Sequence, residues 1–296
     1  MQVVLLFIMT EWKFLYNPDD RIDLWRNTIQ LFHMSKKVGF VGPFKAAGFK
    51  YVIEKMSVSS NGINYPKPDI LASSNDGFVV LELTTNNGKS KFHVLNDYTS
   101  ISPQHLHNHG LKNHPNKQPD VISSRLQYLD DGNYCQLIVE KNLEIKKMQY
   151  IQNKTLLKAL KDSEGLDLSK VPSIPITIVP EMNKNIPELR RGLIEIIMQI
   201  FKPNSKGKTA ADMVKEGLER LYPKVDSVIV NQLNQKVTQE MDGLVKDQLK
   251  EYLTKKDGKY VASEKFKPHF RTLGAINNKL RHWAGLSTQS TLYDFK

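Results

Sequence analysis

Cysteine is almost absent from this 296-residue chain: Cys135 is the only one, which excludes a disulfide framework and an all-cysteine zinc site and fits a reducing, cytoplasmic setting. No apolar run reaches the length that crosses a bilayer. The longest, QVVLLFIM at the start, ends before Glu11 and lacks the basic flank and small-residue cleavage site of a signal peptide; a buried strand is the expectation there, and no membrane partner. A phosphate-binding P-loop is also missing. Gly207-Lys208-Thr209 echoes its end, but Lys202 stands where the first glycine is required and no strand precedes it.

Positive charge is plentiful. Forty-two basic residues against 31 acidic leave +11, a surplus that suits a polyanionic partner, with nucleic acid first among candidates. An apolar content of 40% and a charged content of 25% belong to ordinary globular proteins, and the length allows one large domain or two of common size.

The most informative stretch runs from Pro68 to Lys91. Asp69 opens the apolar run Ile70, Leu71, Ala72; Ser73 to Gly77 has the composition of a tight turn; Phe78 to Thr84 reads as a largely buried strand. Two antiparallel neighbours would bring Asp69 and Glu82 together, with Glu82 and Thr84 on one face and Leu81 and Leu83 on the other. Buried carboxylates demand a cation or donors, and a hard divalent ion is the natural partner of two converging oxygens. The pattern Pro68-Asp69, twelve residues, Glu82-Leu83-Thr84 resembles the PD-(D/E)xK nuclease superfamily. That resemblance implies a restriction-endonuclease-like α/β fold, a mixed sheet flanked by helices. It implies Mg2+ or Mn2+ held by Asp69, Glu82 and the Leu83 carbonyl, and hydrolysis of phosphodiesters to 5′-phosphate and 3′-hydroxyl ends. Thr84 occupies the position where most members carry lysine. In this respect the chain is similar to the viral cap-snatching endonucleases, with an acid-x-Thr pattern and a later lysine; Lys89 and Lys91 are the candidates here. A helix histidine joins the metal in those enzymes, which makes His33 a candidate ligand. The bland reading of His33 is a partly exposed side chain beside a core stripe.

Around this stretch the expected order is that of the nuclease core. A helix with Ile22, Trp25, Ile29 and Phe32 inward comes first, then a strand over 51–58, the Asp and Glu strands, a helix over 89–100 with Leu95 and Tyr98 inward, a strand at Cys135–Val139, a helix over 148–160, and a strand at Pro172–Pro180. A rival pair exists, Pro119-Asp120 with Glu144-Ile145-Lys146, but Glu144 falls past the apolar strand and the first pair is preferred. Four histidines in the loop 105–114 offer a zinc site as a remoter alternative to a loop over the active site.

A first domain over 1–183 and a second over 184–296 are expected. The second reads as helices: a stripe of Leu189, Leu193, Ile196, Ile197 and Ile200, then 210–221, 225–253 and 266–283, with a basic turn at 255–259. Ten basic and four acidic residues lie between Leu244 and Trp283, and the pattern loosely resembles a winged helix. Lys255, Lys256 and Lys259 would meet phosphates, and Arg271, Asn278, Lys279 and Arg281 would contact nucleic acid, DNA more than RNA. A solvated basic face on a helical bundle explains the same residues. The expected activity is that of a metal-dependent endonuclease, with a catalytically silent nucleic-acid-binding protein on the same fold as the alternative; a homodimer is compatible with either.

Overall fold

A computed structural model describes residues 21–35, 39–52, 58–60, 63–65, 68–84, 92–101, 117–130, 132–171, 176–222 and 224–286. The N-terminal apolar run, Lys89, Lys91 and the histidine loop lie outside the described residues. The chain divides into two compact units, Met1–Ile174 and Pro175–Lys296.

The first unit is mixed α/β. Helix α1 (Arg21–Gln30) buries Ile22, Trp25 and Ile29 of the expected stripe together with Leu24, while Phe32, also buried, follows the helix end. Two short strands, β1 (Met34–Ser35) and β2 (Phe40–Val41), and a helical turn, α2 (Pro43–Ala46), lead to β3 (Lys50–Val52). The small hairpin β4 (Val58–Ser60) and β5 (Ile63–Tyr65) precedes β6 (Ile70–Ser74) and β7 (Gly77–Thr84). Helix α3 (Phe92–Thr99) then leads to β8 (Asp120–Arg125), β9 (Cys135–Val139), β10 (Leu143–Lys146) and α4 (Lys154–Ser163).

Six strands form one sheet in the order β10-β9-β8-β7-β6-β3. Strands β3, β6 and β7 are an antiparallel meander, while β7, β8 and β9 run parallel, and β10 turns back antiparallel at the edge. A parallel neighbour requires a crossover, and α3 lies within the one between β7 and β8. All eight residues of β7 are buried, as its central place demands. Leu95 and Tyr98 of α3 pack with Leu71, Phe78, Val80, Val121 and Tyr134 on one face of the sheet. Helix α1 covers the other face: Thr28 Oγ1 lies 2.6 Å from Ser124 Oγ, and Asn27 Nδ2 donates to the Val139 carbonyl at 2.7 Å.

Several boundaries depart from expectation. The helix expected over 148–160 is a 3-10 turn at Met148–Tyr150 followed by α4, because Asn153 caps the later start, its side chain accepting from Leu156 N–H. Glu144 falls past strand β9, as expected, and lies in a further edge strand, β10. Within 172–180 the described residues 176–179 join no sheet. The N–H groups of Thr177 and Ile178 both donate to the Gly217 carbonyl, which ties the segment to the second unit, so the unit boundary precedes it instead of following residue 183.

The second unit contains α5 (Ile186–Ile200), α6 (Ala210–Leu218), α7 (Ser227–Lys246), the hairpin β11 (Leu253–Lys256) and β12 (Lys259–Ala262), and α8 (Phe270–Trp283). Leu189, Leu193, Ile196, Ile197 and Ile200 are buried, as their spacing required. The helix expected to reach Leu253 stops at Lys246, and a hairpin stands where only a basic turn was foreseen. Asp257 and Gly258 both take positive φ, the demand of a two-residue turn that matches strand twist. Lys208 bridges to Tyr260 antiparallel, and Thr209 closes a capping box with Asp212, so Gly207-Lys208-Thr209 serves a bridge and a helix start. Arg190 joins three helices: its Nε pairs with Glu240 at 2.7 Å, its Nη1 donates to the Trp283 carbonyl at 3.1 Å, and it stacks over the Trp283 ring.

Gly192 of α5 lies against the Thr177 backbone so closely that a Cβ would fall 2.0 Å from the Thr177 oxygen. Gly192→Ala is therefore expected to destabilise this unit by about 1–3 kcal/mol, read from the urea midpoint, whereas Gly243→Ala, with open space around its Cβ, leaves the midpoint unlowered.

Candidate functional site: a buried carboxylate pair

The antiparallel register of β6 and β7 pairs Ile70 with Leu81, and one step further stands Asp69 opposite Glu82. Directly opposed residues share a face of an antiparallel pair, so both carboxylates lie on one face of the sheet. Both are almost wholly withdrawn from solvent, Asp69 at 3% exposure and Glu82 at 4%. Groups of this kind are tolerated only when donors or a cation satisfy them.

The donors are present. Asp69 Oδ2 accepts from the Leu83 N–H at 2.8 Å, and Asp69 Oδ1 accepts from Arg21 Nη2 at 3.0 Å. The other arm of the same guanidinium, Nη1, donates to the Leu83 carbonyl at 3.2 Å. The Tyr98 hydroxyl donates to Glu82 Oε2 at 3.3 Å. Burial raises the pKa of that phenol, and the charges of Glu82 and then Asp69 push it up further. The hydroxyl is thus within electrostatic reach of both carboxylates.

Thr84, next along the same face, is buried and accepts at 3.4 Å from Ser123 Oγ on the parallel neighbour β8. The register sets Glu82 beside Ser123 and Thr84 beside Arg125. Arg125 is fully buried, with Nε donating to Ser123 Oγ at 2.8 Å and Nη2 to the Tyr134 hydroxyl at 3.0 Å. A guanidinium thus stands on the strand beside the position that lacks lysine. Sequence reasoning passed over both arginines. The signal for Arg125 is a charged residue closing the run Val121-Ile122-Ser123-Ser124, whereas Arg21 carries no motif at all.

The expected histidine ligand is not brought in. Arg21, at the first turn of α1, is the end of that helix that meets the acids, and His33 follows its other end, about 15 Å along the axis. Among the described residues no three His, Cys, Asp or Glu side chains form a metal-holding group, so His33 does not complete a set with Asp69 and Glu82. The rival pair is separated. Strand β9 lies between β8 and β10, Glu144 pairs with Lys146 at the surface at 3.0 Å, and the Asp120 carboxylate receives the N–H groups of Gln152 and Asn153.

In the second unit Lys256 and Lys259 flank the hairpin turn and are exposed, as is Arg271, while Asn278 is half-buried. Lys255 is drawn to Asp242 at 2.8 Å and Lys279 to the Gln248 carbonyl at 3.2 Å. Arg281, expected at a nucleic-acid surface, is 5% exposed and belongs to the interior, because its position on α8 lies between Leu280 and Trp283 of the buried stripe.

No family model, curated protein or solved structure matches the chain. Asp69, Glu82 and the Leu83 carbonyl offer only hard oxygen donors, the set that Mg2+ or Mn2+ prefers, and a guanidinium already draws two of those groups to one cation. The residues fit the ion that the sequence pattern implies.

Tyr98→Phe removes one donor from a buried carboxylate. The expected cost is about 1–3 kcal/mol in urea unfolding, and an unchanged midpoint would take Tyr98 out of the site.

Proposed function

We propose that the protein is a metal-dependent nuclease with a PD-(D/E)xK-type core, hydrolysing phosphodiesters of nucleic acid, with DNA the first substrate to test. The observation that carries this reading is the opposition of Asp69 and Glu82 across β6 and β7 beside the Leu83 carbonyl. Element order supports it: leaving aside the short strands β1 and β2, the turn α2 and the small hairpin β4–β5, the order is α1, β3, the Asp strand β6, the Glu strand β7, α3 and β8. When bound, Mg2+ or Mn2+ would supply positive charge to the phosphate and a more acidic water.

The chain's own residues prepare for that chemistry. The Leu83 N–H fixes the rotamer of Asp69 by holding Oδ2, and the Tyr98 hydroxyl holds Glu82 through Oε2. Strand pairing keeps both acids on one face, and α3 shields the Glu82 side from water. The Thr84 hydroxyl supplies no charge, so the cation that the resemblance places after the acid falls to Lys89 or Lys91. Nucleic-acid binding by the second unit is part of the proposal. Its four helices, the Lys208–Tyr260 bridge and the hairpin agree with a winged-helix arrangement, and Lys256 and Lys259 put exposed charge at the hairpin tip.

A second reading has its own observation. Arg21 already neutralises Asp69, and Thr84 replaces the amine, as would suit a nucleic-acid-binding protein that does not cut. One assay separates the two. Plasmid, linear and single-stranded DNA, and RNA, are incubated with Mn2+ and wild-type protein, Asp69→Ala or Glu82→Ala. The nuclease reading expects cleavage by wild type and a loss of at least about 100-fold in either variant, on the scale of removing charge stabilisation from a reacting centre. Salt-sensitive binding with no cleavage selects the second reading, and equal cleavage by all three proteins rejects the site.

A further inference from the structure

The contacts of Arg21 bear on the carboxylate pair in a way that its sequence position does not announce. Its guanidinium grips Asp69 Oδ1 and the Leu83 carbonyl, and these belong to two of the three groups that the proposed function assigns to a divalent ion. The second Asp69 oxygen is held by the Leu83 N–H. An ion entering beside Asp69 and Leu83 therefore meets the guanidinium at Oδ1. The fork of an arginine matches two oxygens at once and keeps its charge at every accessible pH, so protonation does not relieve the competition. Asp69 is buried, whereas the Arg21 side chain is 15% exposed: the arginine sits on the solvent side of the acid it neutralises.

We infer that Arg21 is the resident cation of the metal-free site, and that a divalent metal binds by displacing its guanidinium from Asp69 and Leu83. Arg21 then sets the metal affinity of the protein without being a metal ligand. It also answers a folding problem. A carboxylate pair this buried cannot wait uncompensated for an ion, and the guanidinium allows β6 and β7 to close before any metal arrives. The site is stable when empty of metal, at the expense of weaker binding. This inference rests on the proposed function only in its choice of ligand oxygens.

The test is a Mn2+ titration of the full chain, with free Mn2+ followed by its electron paramagnetic resonance signal, in wild type, Arg21→Met, Arg21→Lys and Arg21→Met combined with Asp69→Asn. Arg21→Met keeps length and loses both donors, and it is expected to bind Mn2+ about tenfold or more tightly than wild type, the equivalent of one charge-assisted hydrogen bond no longer competing. Lysine keeps the charge but cannot fork across two oxygens, so Arg21→Lys should fall between the two. Adding Asp69→Asn should abolish the gain. Should Arg21→Met fail to fold, the comparison of Arg21→Lys with wild type decides: tighter binding supports the inference and equal binding overturns it. Equal or weaker Mn2+ binding in Arg21→Met overturns the inference and leaves the metal site of the proposed function standing. No Mn2+ binding by any of the proteins overturns both.

Discussion

The first unit buries two carboxylates, Asp69 and Glu82, opposite one another across paired strands. The register that buries Ile70, Leu81 and Val80 is the same register that sets Asp69 against Glu82, so the core cannot form without confronting two like charges. The charges are met from three directions. The backbone of Leu83 donates to one oxygen, the guanidinium of Arg21 to another, and the hydroxyl of Tyr98 to the Glu82 carboxylate. Buried ion pairs are often no gain in stability over well-packed hydrophobes.

The supporting structure is arranged accordingly. Helix α3 closes one face and carries Tyr98 in the same stripe as Leu95, so the residue that holds Glu82 is fixed by the packing that builds the core. Helix α1 closes the other face and delivers Arg21 from its first turn. Two independent helices thus anchor the two acids, and a shift of either would be felt at the pair. Rigid elements surround the oxygens, the condition for holding a small ion against water.

Much of this was legible in the chain. Alternation along Phe78–Thr84 and the turn residues Asn75, Asp76 and Gly77 sufficed to oppose Asp69 and Glu82, and helical spacing located α1, α3 and α5. What escaped were interactions between residues far apart in sequence. Arg21 lies 48 positions from Asp69, and no local pattern ties a helix-start arginine to a strand-start aspartate. Arg125 was hidden because a parallel register is set through a crossover and not by a turn. The hairpin β11–β12 was lost because Lys255, Lys256 and Lys259 mask its alternation, leaving Leu253 and Tyr260 as its inward residues. Arg281 misled for the opposite reason: a basic residue near a helix end suggested a surface, while its phase on α8 belongs to the interior.

Asp69 and Glu82 are proposed to share a cation. Crystals grown with Mn2+ and measured at a wavelength where manganese scatters anomalously test it most directly. The account predicts an anomalous peak at the two carboxylates and the Leu83 carbonyl, with the Arg21 guanidinium withdrawn from Asp69. Well-ordered carboxylates with no peak beside them, and Arg21 still bridging Asp69 and Leu83 at saturating Mn2+, would contradict it.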